Sequence, residues 1–212
     1  MTAAALLLPD RAYASTDGGR KKVAVVLSGG GAKGMAHIGA LRVIEKAGIP
    51  IDIITGTSMG SIVGGLYAIG YDAHRLDSMV RVQDWSFLLT DKLEAHSPLL
   101  DNRERQNTYF LTKTFTLSKN KITNKQGGMI EGRNLDKLFN RLTAGYRDSI
   151  DFNSLPIPFA CVATNIVDNS EYVMHSGVLS EAMRSSMAIP GVFSPVRKDS
   201  MVLVDGGLRN NF

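Results

Sequence analysis

The sequence predicts an α/β protein built on a mainly parallel sheet, and three observations carry that reading. An apolar run, Val23 to Leu27, leads directly into glycines and then into a helical pattern. The same order of strand, glycine turn and helix returns between Ile51 and Ile69. Later β-prone segments, Phe159 to Thr164 and Met201 to Val204, are separated by a further helical stretch, Val178 to Ser186. Repeated strand–helix units mean parallel pairing, because a crossover helix is what lets successive strands point the same way.

Taken in order, Val23 to Leu27 is continuously apolar, as expected of a strand buried on both faces. It runs into Ser28-Gly29-Gly30-Gly31-Ala32-Lys33-Gly34. The helix behind this loop carries Ala36, Ala40, Val43 and Ala47 on one stripe, with Leu41 and Ile44 beside it. Gly48 and Pro50 stop it. Ile51 to Thr55 reads as the second strand. Gly56-Thr57-Ser58-Met59-Gly60 turns into a helix with Ile62, Val63, Leu66 and Ile69, closed by Gly70. Gly64 and Gly65 within it suit close helix packing. Asp72 is placed to cap a third helix bearing Leu76, Met79 and Val80.

The stretch from Gln83 to Gly128 is less regular, although Thr112 to Leu117 alternates and Lys119-Asn120-Lys121 suits a hairpin turn. Asn134 is read as the cap of a helix with Leu135, Leu138, Phe139 and Leu142 at helical spacing. Tyr172 to His175 reads as a strand, Pro190 ends the helix that began at Val178, and the final strand leads into Asp205-Gly206-Gly207.

The 212 residues suit one domain, or most of one, with a sizeable core. Residues 1–20 read as a leader. The short apolar run Ala3 to Leu8 and the small residues Ala12 and Ala14 before Ser15 resemble the end of a secretory signal, although no basic stretch precedes them. The plain alternative is a frayed terminus, so the compartment stays open between the periplasm or outer membrane and the cytoplasm. The domain then spans 21–212. No closing element follows the polar run Arg209-Asn210-Asn211, so an incomplete C-terminal end is expected.

With 44% apolar and 21% charged residues the chain is not a disordered one. No apolar run approaches the ~20 residues of a membrane-spanning helix. Cys161, the single cysteine, excludes an internal disulfide and reads as a small buried hydrophobe. With only four scattered histidines it makes no zinc site, and no metal or cofactor is expected. The net charge of +4 permits contact with an anionic surface without demanding nucleic acid.

Ser58 carries the chemistry. The pattern Gly-x-Ser-x-Gly between a strand and a helix permits a tight, strained turn that lifts the hydroxyl off the sheet end. The helix N-terminus there favours developing negative charge. Successive crossovers are right-handed, so the Gly29-Gly30-Gly31 loop opens at the same sheet edge. Strands lie about 4.8 Å apart, which lets backbone N–H groups of that loop face the serine. Such donors form an oxyanion hole. Lys33 either adds positive charge there or is a solvated helix-start lysine.

The serine needs a base. The histidines are His37, His74, His96 and His175, and none follows Asp205. The Ser, acid, His order of α/β-hydrolases is therefore not met after Asp205, and only one strand precedes the serine turn. Asp168 with His175 is the remaining triad reading. Asp205 is the better candidate, because a strand ending in Gly-Gly brings its carboxylate to the edge that holds the two loops. A Ser58–Asp205 dyad follows.

Gly-Gly-Gly-Ala-Lys-Gly at 29–34, Gly-Thr-Ser-Met-Gly at 56–60 and Asp-Gly-Gly at 205–207, in that order, resemble the patatin-like phospholipase family. Arg184-Ser185-Ser186-Met187-Ala188-Ile189-Pro190-Gly191-Val192-Phe193 resembles the family's segment ahead of its last motif strand. The resemblance covers Val23 to about Asn211. It implies a three-layer α/β/α fold, a Ser–Asp dyad and metal-independent hydrolysis of acyl esters in phospholipids or other lipids. By the same resemblance Ser58 is the nucleophile and Asp205 the general base. Gly56, Thr57, Met59 and Gly60 then form the nucleophile elbow, and Gly206 and Gly207 the Asp-Gly-Gly loop. By the same resemblance the loop Gly29, Gly30, Gly31, Ala32, Lys33 and Gly34 holds the oxyanion hole, formed by backbone N–H groups around Gly30, Gly31 and Ala32. Some bacterial members are secreted and joined to an outer-membrane barrel, which the N-terminal pattern and the abrupt C-terminus would fit. Family domains usually continue past this last motif.

Two rival readings go with this one. Gly29-x-Gly31-x-x-Gly34 after a strand also resembles a dinucleotide loop, but the acid expected about 20 residues on is ill placed, at Glu45 in a helix or Asp52 at a strand start. A catalytically silent lipid- or partner-binding module would keep the fold without turnover. From Arg105 through Ile130 there are basic residues without an acid, interleaved with Tyr109, Phe110, Phe115 and Leu117. They read as a solvated hairpin or as a peripheral contact with anionic headgroups.

Overall fold

A computed structural model describes residues 20–91, 116–118, 121–123 and 128–211. The chain runs β1 (Ala24–Leu27), α1 (Ala36–Lys46), β2 (Ile53–Thr57), α2 (Met59–Ala68), α3 (Ala73–Val82) and α4 (Trp85–Leu88). Short strands β3 (Thr116–Ser118), β4 (Lys121–Thr123) and β5 (Gly128–Ile130) precede α5 (Arg133–Leu142). Then come β6 (Ile150–Asp151), β7 (Phe159–Asn165), β8 (Ser170–Met174), β9 (Ser176–Gly177) and α6 (Leu179–Ser186). The strands β10 (Gly191–Phe193), β11 (Val196–Lys198) and β12 (Met201–Asp205) follow, and Gly206–Leu208 forms a closing 3-10 turn.

The main sheet has the order β1-β2-β7-β12-β11, with β8 on β7 as well. Its centre, β1-β2-β7, is parallel, as the two strand–glycine–helix units predict. Strands β8, β11 and β12 pair antiparallel and make the whole a mixed sheet. The pairing along β7 positions the site. β2 lies opposite Phe159–Val162, β12 opposite Ala163–Asn165, and β8 spans Cys161–Asn165. Because β8 overlaps both, β2 and β12 must share the other edge of β7. They approach each other end to end, Thr57 opposite Val162 and Asp205 opposite Ala163. The chain reaches β12 through the β11–β12 hairpin rather than a crossover helix, so its carboxylate arrives from the opposite direction to the one a parallel strand would give.

The core lies between this sheet and the helices. Ile54, Phe159 and Cys161 are sealed under α2 and α6 together with Leu66 and Met183. A Cβ on Gly64 would stand 2.7 Å from Ile54 Cγ2, so the close approach expected at this glycine is real. On the opposite face the chain after β12 crosses the sheet, where Thr57 Oγ1 donates to Asn210 O at 3.2 Å. Farther along that face Val26, Ile53 and Val173 are exposed.

Several local expectations change. β1 alternates instead of being buried on both faces, because Val25 and Leu27 meet the helices while Val26 faces outward. β2 begins two residues later than read and runs into the serine turn. Helix α1 buries Ile38 and Leu41, whereas Ala36, Ala40, Val43 and Ala47 are exposed; the larger Ile38 and Leu41 bury more apolar area than the three alanines and decide the rotation, which leaves Val43 outside. Asp72 caps α3 as expected, accepting from Arg75 N at 2.7 Å. Asn134 does not cap α5. Gly132 holds the cap position in the left-handed conformation, and Asp91 accepts from the N–H groups of Glu131, Gly132 and Arg133. Asn134 instead donates to Phe87 O and Thr90 O. β3 and β4 pair antiparallel across the expected hairpin, while 112–115 and most of the basic stretch lie outside the described residues.

Candidate active site

β2 delivers the chain to Ser58, whose φ of 52° and ψ of −120° put a non-glycine residue in strained backbone. Such a conformation costs on the order of 1–3 kcal/mol and persists only where its surroundings over-determine it. They do so here. The Ser58 carbonyl accepts from Ser61 Oγ at 2.6 Å and from Ser61 N at 2.9 Å. A Cβ on Gly60 would sit 2.0 Å from Leu27 O, so the turn can press against β1 only with glycine there. The Ser58 N–H donates to Ser186 Oγ at 2.9 Å, and Ser186 Oγ donates to Val162 O at 2.6 Å. The last residue of α6 thereby ties the turn to β7.

Asp205 closes β12, and its own N–H donates to Ala188 O. Its side chain is buried. Oδ2 accepts the Ser58 hydroxyl at 2.6 Å, and Oδ1 accepts the Gly207 N–H at 2.7 Å. Burial raises the carboxyl above its ordinary range, while the hydrogen bonds from Ser58 and Gly207 pull the other way. Among the described residues no cation forms an ion pair with it.

The glycine loop lies alongside. Gly29 N–H is taken by Asn211 Oδ1 at 2.7 Å, and Lys33 N–H by Gly30 O at 3.1 Å. Gly34 is buried against Met59. Among the described residues the N–H groups of Gly30, Gly31 and Ala32 are left without an acceptor. Lys33 is exposed.

Two cavities open from Ser58. One, of about 210 Å³, is lined by Gly29, Gly30, Gly31, Asp205, Gly207 and Asn211, among others. The second, of about 530 Å³, is almost wholly apolar, with Met35, Met59, Ile62, Trp85, Met187 and Phe193 in its wall. A further space of about 70 Å³ continues from it into the core, sharing Met35, Met59, Ile62, Trp85 and Met187. A polar cavity of about 640 Å³ between α5, α6 and β11 holds neither Ser58 nor Asp205.

The rival constellations do not form. Asp168 accepts from Ser170 N and Oγ in an exposed turn, and His175 is exposed with its carbonyl bonded to Phe152 N. Glu45 accepts from Ala73 N, and Asp52 pairs with Arg20 and accepts from Val23 N. Both acids considered for a dinucleotide ribose are thus engaged in holding the fold. Cys161 is fully buried, and burial pushes its thiol up, away from nucleophilic use. Ser186 and Asn211 are the contributors that sequence reasoning missed. Ser186 lay inside a segment singled out only for its resemblance, and Asn211 inside a run read merely as polar. No group of three or more metal-ligating side chains occurs among the described residues.

Residues 25–212 match the family model described as patatin-like phospholipase. The chain is 34% identical over 191 residues to the human patatin-like phospholipase domain-containing protein 6, covering 89% of this chain and 12% of that protein. It is 30% identical over 194 residues to lysophospholipase NTE1 of Meyerozyma guilliermondii, covering 89% of this chain and 11% of that one. The chain thus spans about an eighth or less of these two relatives. VipD from Legionella pneumophila shares the fold, with a TM-score of 0.57 at 15% identity over 92% of this chain and 47% of that one. On the strength of the family match across nearly its whole length, this chain belongs to the patatin-like phospholipase family.

Proposed function

We propose that this domain hydrolyses fatty-acyl esters of phospholipids or related lipids, with Ser58 as nucleophile and Asp205 as general base. The observation that carries the reading is the 2.6 Å hydrogen bond from a serine held on a strained turn to a buried carboxylate. Ser58 Oγ attacks the acyl carbonyl as its proton passes to Asp205 Oδ2. The N–H groups of Gly30, Gly31 and Ala32 take up the oxyanion. Collapse of the tetrahedral species breaks the ester C–O bond, and the departing alkoxide receives the proton from Asp205. Water then attacks the acyl-serine, again giving a proton to Asp205, and the fatty acid leaves as Ser58 is restored. The apolar cavity beside Ser58 suits the acyl chain, which places lipids ahead of small polar esters.

Fatty-acid release from phospholipid and lysophospholipid, with Ser58→Ala and Asp205→Asn beside the wild-type chain, tests this. Both substitutions are expected to lower kcat by about 10³-fold or more. Wild-type turnover in either ends the dyad reading. Vesicle binding without any release by the wild-type chain would leave the silent lipid-binding module in its place.

A further inference from the structure

The peptide that joins Ser28 to Gly29 is held at both of its polar ends, each by a side chain from a different part of the chain. The Ser28 carbonyl lies 2.8 Å from Nε2 of His37, in the first turn of α1. A carbonyl only accepts, so Nε2 carries the proton and donates it. The Gly29 N–H donates to Asn211 Oδ1 at 2.7 Å. An N–H only donates, which fixes the amide oxygen of Asn211 toward the loop. Both anchors are themselves secured. The segment that brings Asn211 from Asp205 is pinned where Thr57 Oγ1 donates to Asn210 O at 3.2 Å and Asn210 Nδ2 donates to Glu171 Oε2 at 2.8 Å. His37 is half-buried, and a Cβ on Gly34 would lie 3.8 Å from its Cδ2.

The held peptide lies directly against the serine turn, since a Cβ on Gly29 would stand 3.0 Å from Ser58 Cβ. Beyond it the restraints thin out. Gly30, Gly31 and Ala32 have N–H groups without an acceptor among the described residues. Gly31 sits at φ 53°, and a Cβ there would meet nothing within 4 Å. Glycine peptides turn over at little steric cost, so the aim of these N–H groups is inherited from the peptide before them. We infer that His37 and Asn211 are positioning residues, which together clamp the 28–29 peptide and so direct the N–H groups of Gly30, Gly31 and Ala32 at the oxyanion. The inference rests on the acyl-transfer reading of Ser58 and Asp205. Neither side chain touches substrate; the imidazole of His37 serves as a hydrogen-bond donor to the backbone, not as a base. The turn after β12 then supplies two parts of the site, the carboxylate at Asp205 and the loop anchor at Asn211.

Ester kinetics and amide hydrogen exchange on the full chain test this with Asn211→Ala, His37→Ala, the two combined, and His37→Gln, whose side-chain amide nitrogen can replace Nε2 as donor. Each alanine is expected to lower kcat about tenfold or more with KM within about twofold, because misaimed donors weaken the transition state more than the bound substrate. Both act on one peptide, so the double variant should lose at least about threefold less than the product of the single losses. His37→Gln should return kcat to within about threefold of wild type and keep the wild-type pH profile. Exchange at the Gly29 N–H should quicken about tenfold or more in His37→Ala as well as in Asn211→Ala, although His37 does not touch that N–H. Asn211 is exposed, so its truncation leaves the core intact, and wild-type kcat in Asn211→Ala overturns the inference. A His37→Gln chain as slow as His37→Ala, or single losses that simply multiply, overturns it too. If His37→Ala does not fold, Asn211→Ala and His37→Gln decide the matter. A wild-type chain that hydrolyses no ester while Gly29 exchange quickens as expected sinks the proposed activity but not the clamp. Ester turnover with Gly29 exchange unchanged in His37→Ala sinks the clamp alone.

Discussion

Ser186→Ala perturbs the site without touching substrate. Its hydroxyl accepts the Ser58 N–H at 2.9 Å and donates to Val162 O at 2.6 Å, and the side chain is fully buried. Alanine removes both bonds and leaves a donor and an acceptor without water to replace them. An orphaned buried polar group costs about 1–3 kcal/mol, so the pair amounts to about 2–4 kcal/mol once partial relaxation is allowed. For a chain of this size that lowers the melting temperature by roughly 4–16 °C. The neighbouring Ser185→Ala is the control, since Ser185 Oγ is engaged with Glu181 O alone, one turn back in the same helix. Its loss should cost under about 1 kcal/mol. The Ser58 backbone is strained, and freeing its N–H lets the turn relax, so kcat should fall about tenfold or more with KM little changed. Thermal melting and ester kinetics on the two variants check this. Equal melting temperatures and equal kcat would refute the view that Ser186 holds the turn.

Other substitutions probe the carboxylate, the turn and the cavity. Burial favours the protonated form of Asp205, so the folded state holds a proton over a pH window that starts near the unfolded carboxyl value and ends at the raised one. Wild-type stability drops as pH rises through that window. Asp205→Asn, which cannot ionise, should therefore melt higher than wild type near neutral pH and lose this advantage in acid; a lower melting temperature at pH 7 contradicts the assignment. Because the base must be ionised, kcat/KM should fall with acid at a pH above the usual carboxylate range. Gly60→Ala places a Cβ 2.0 Å from a backbone oxygen that cannot give way, so a loss above about 4 kcal/mol, read as insoluble or early-melting protein, is expected. Ile62→Trp narrows the apolar cavity and should lower the ratio of long-chain to butyryl ester turnover at least about tenfold; an unchanged ratio would place the acyl chain elsewhere.

The parts of the site legible in the sequence are those whose chemistry leaves few residue choices. A turn at which a Cβ would fall 2.0 Å from a neighbouring backbone oxygen needs glycine, and the proposed dyad needs a hydroxyl and a carboxylate at strand ends, so 56–60 and 205–207 stand out in the chain. Ser186 does not, since its role is a pair of hydrogen bonds to residues 128 and 24 positions away and any serine looks the same locally. The direction of β12 was hidden too, because it depends on a hairpin with β11, only three residues long. Helix α1 was rotated wrongly because alanines count as apolar in a pattern while burying little area. The cap of α5 was misplaced because Asp91 supplies it from 41 positions before Gly132, and no short window contains both.

The dyad is tested most directly by reacting the chain with a fluorophosphonate and locating the adduct by mass spectrometry. One adduct on Ser58 is the predicted result, with the rate at least about 10³-fold slower in Asp205→Asn. An adduct on Ser61 or Ser186 instead, or an Asp205→Asn chain that reacts at the wild-type rate, would contradict it.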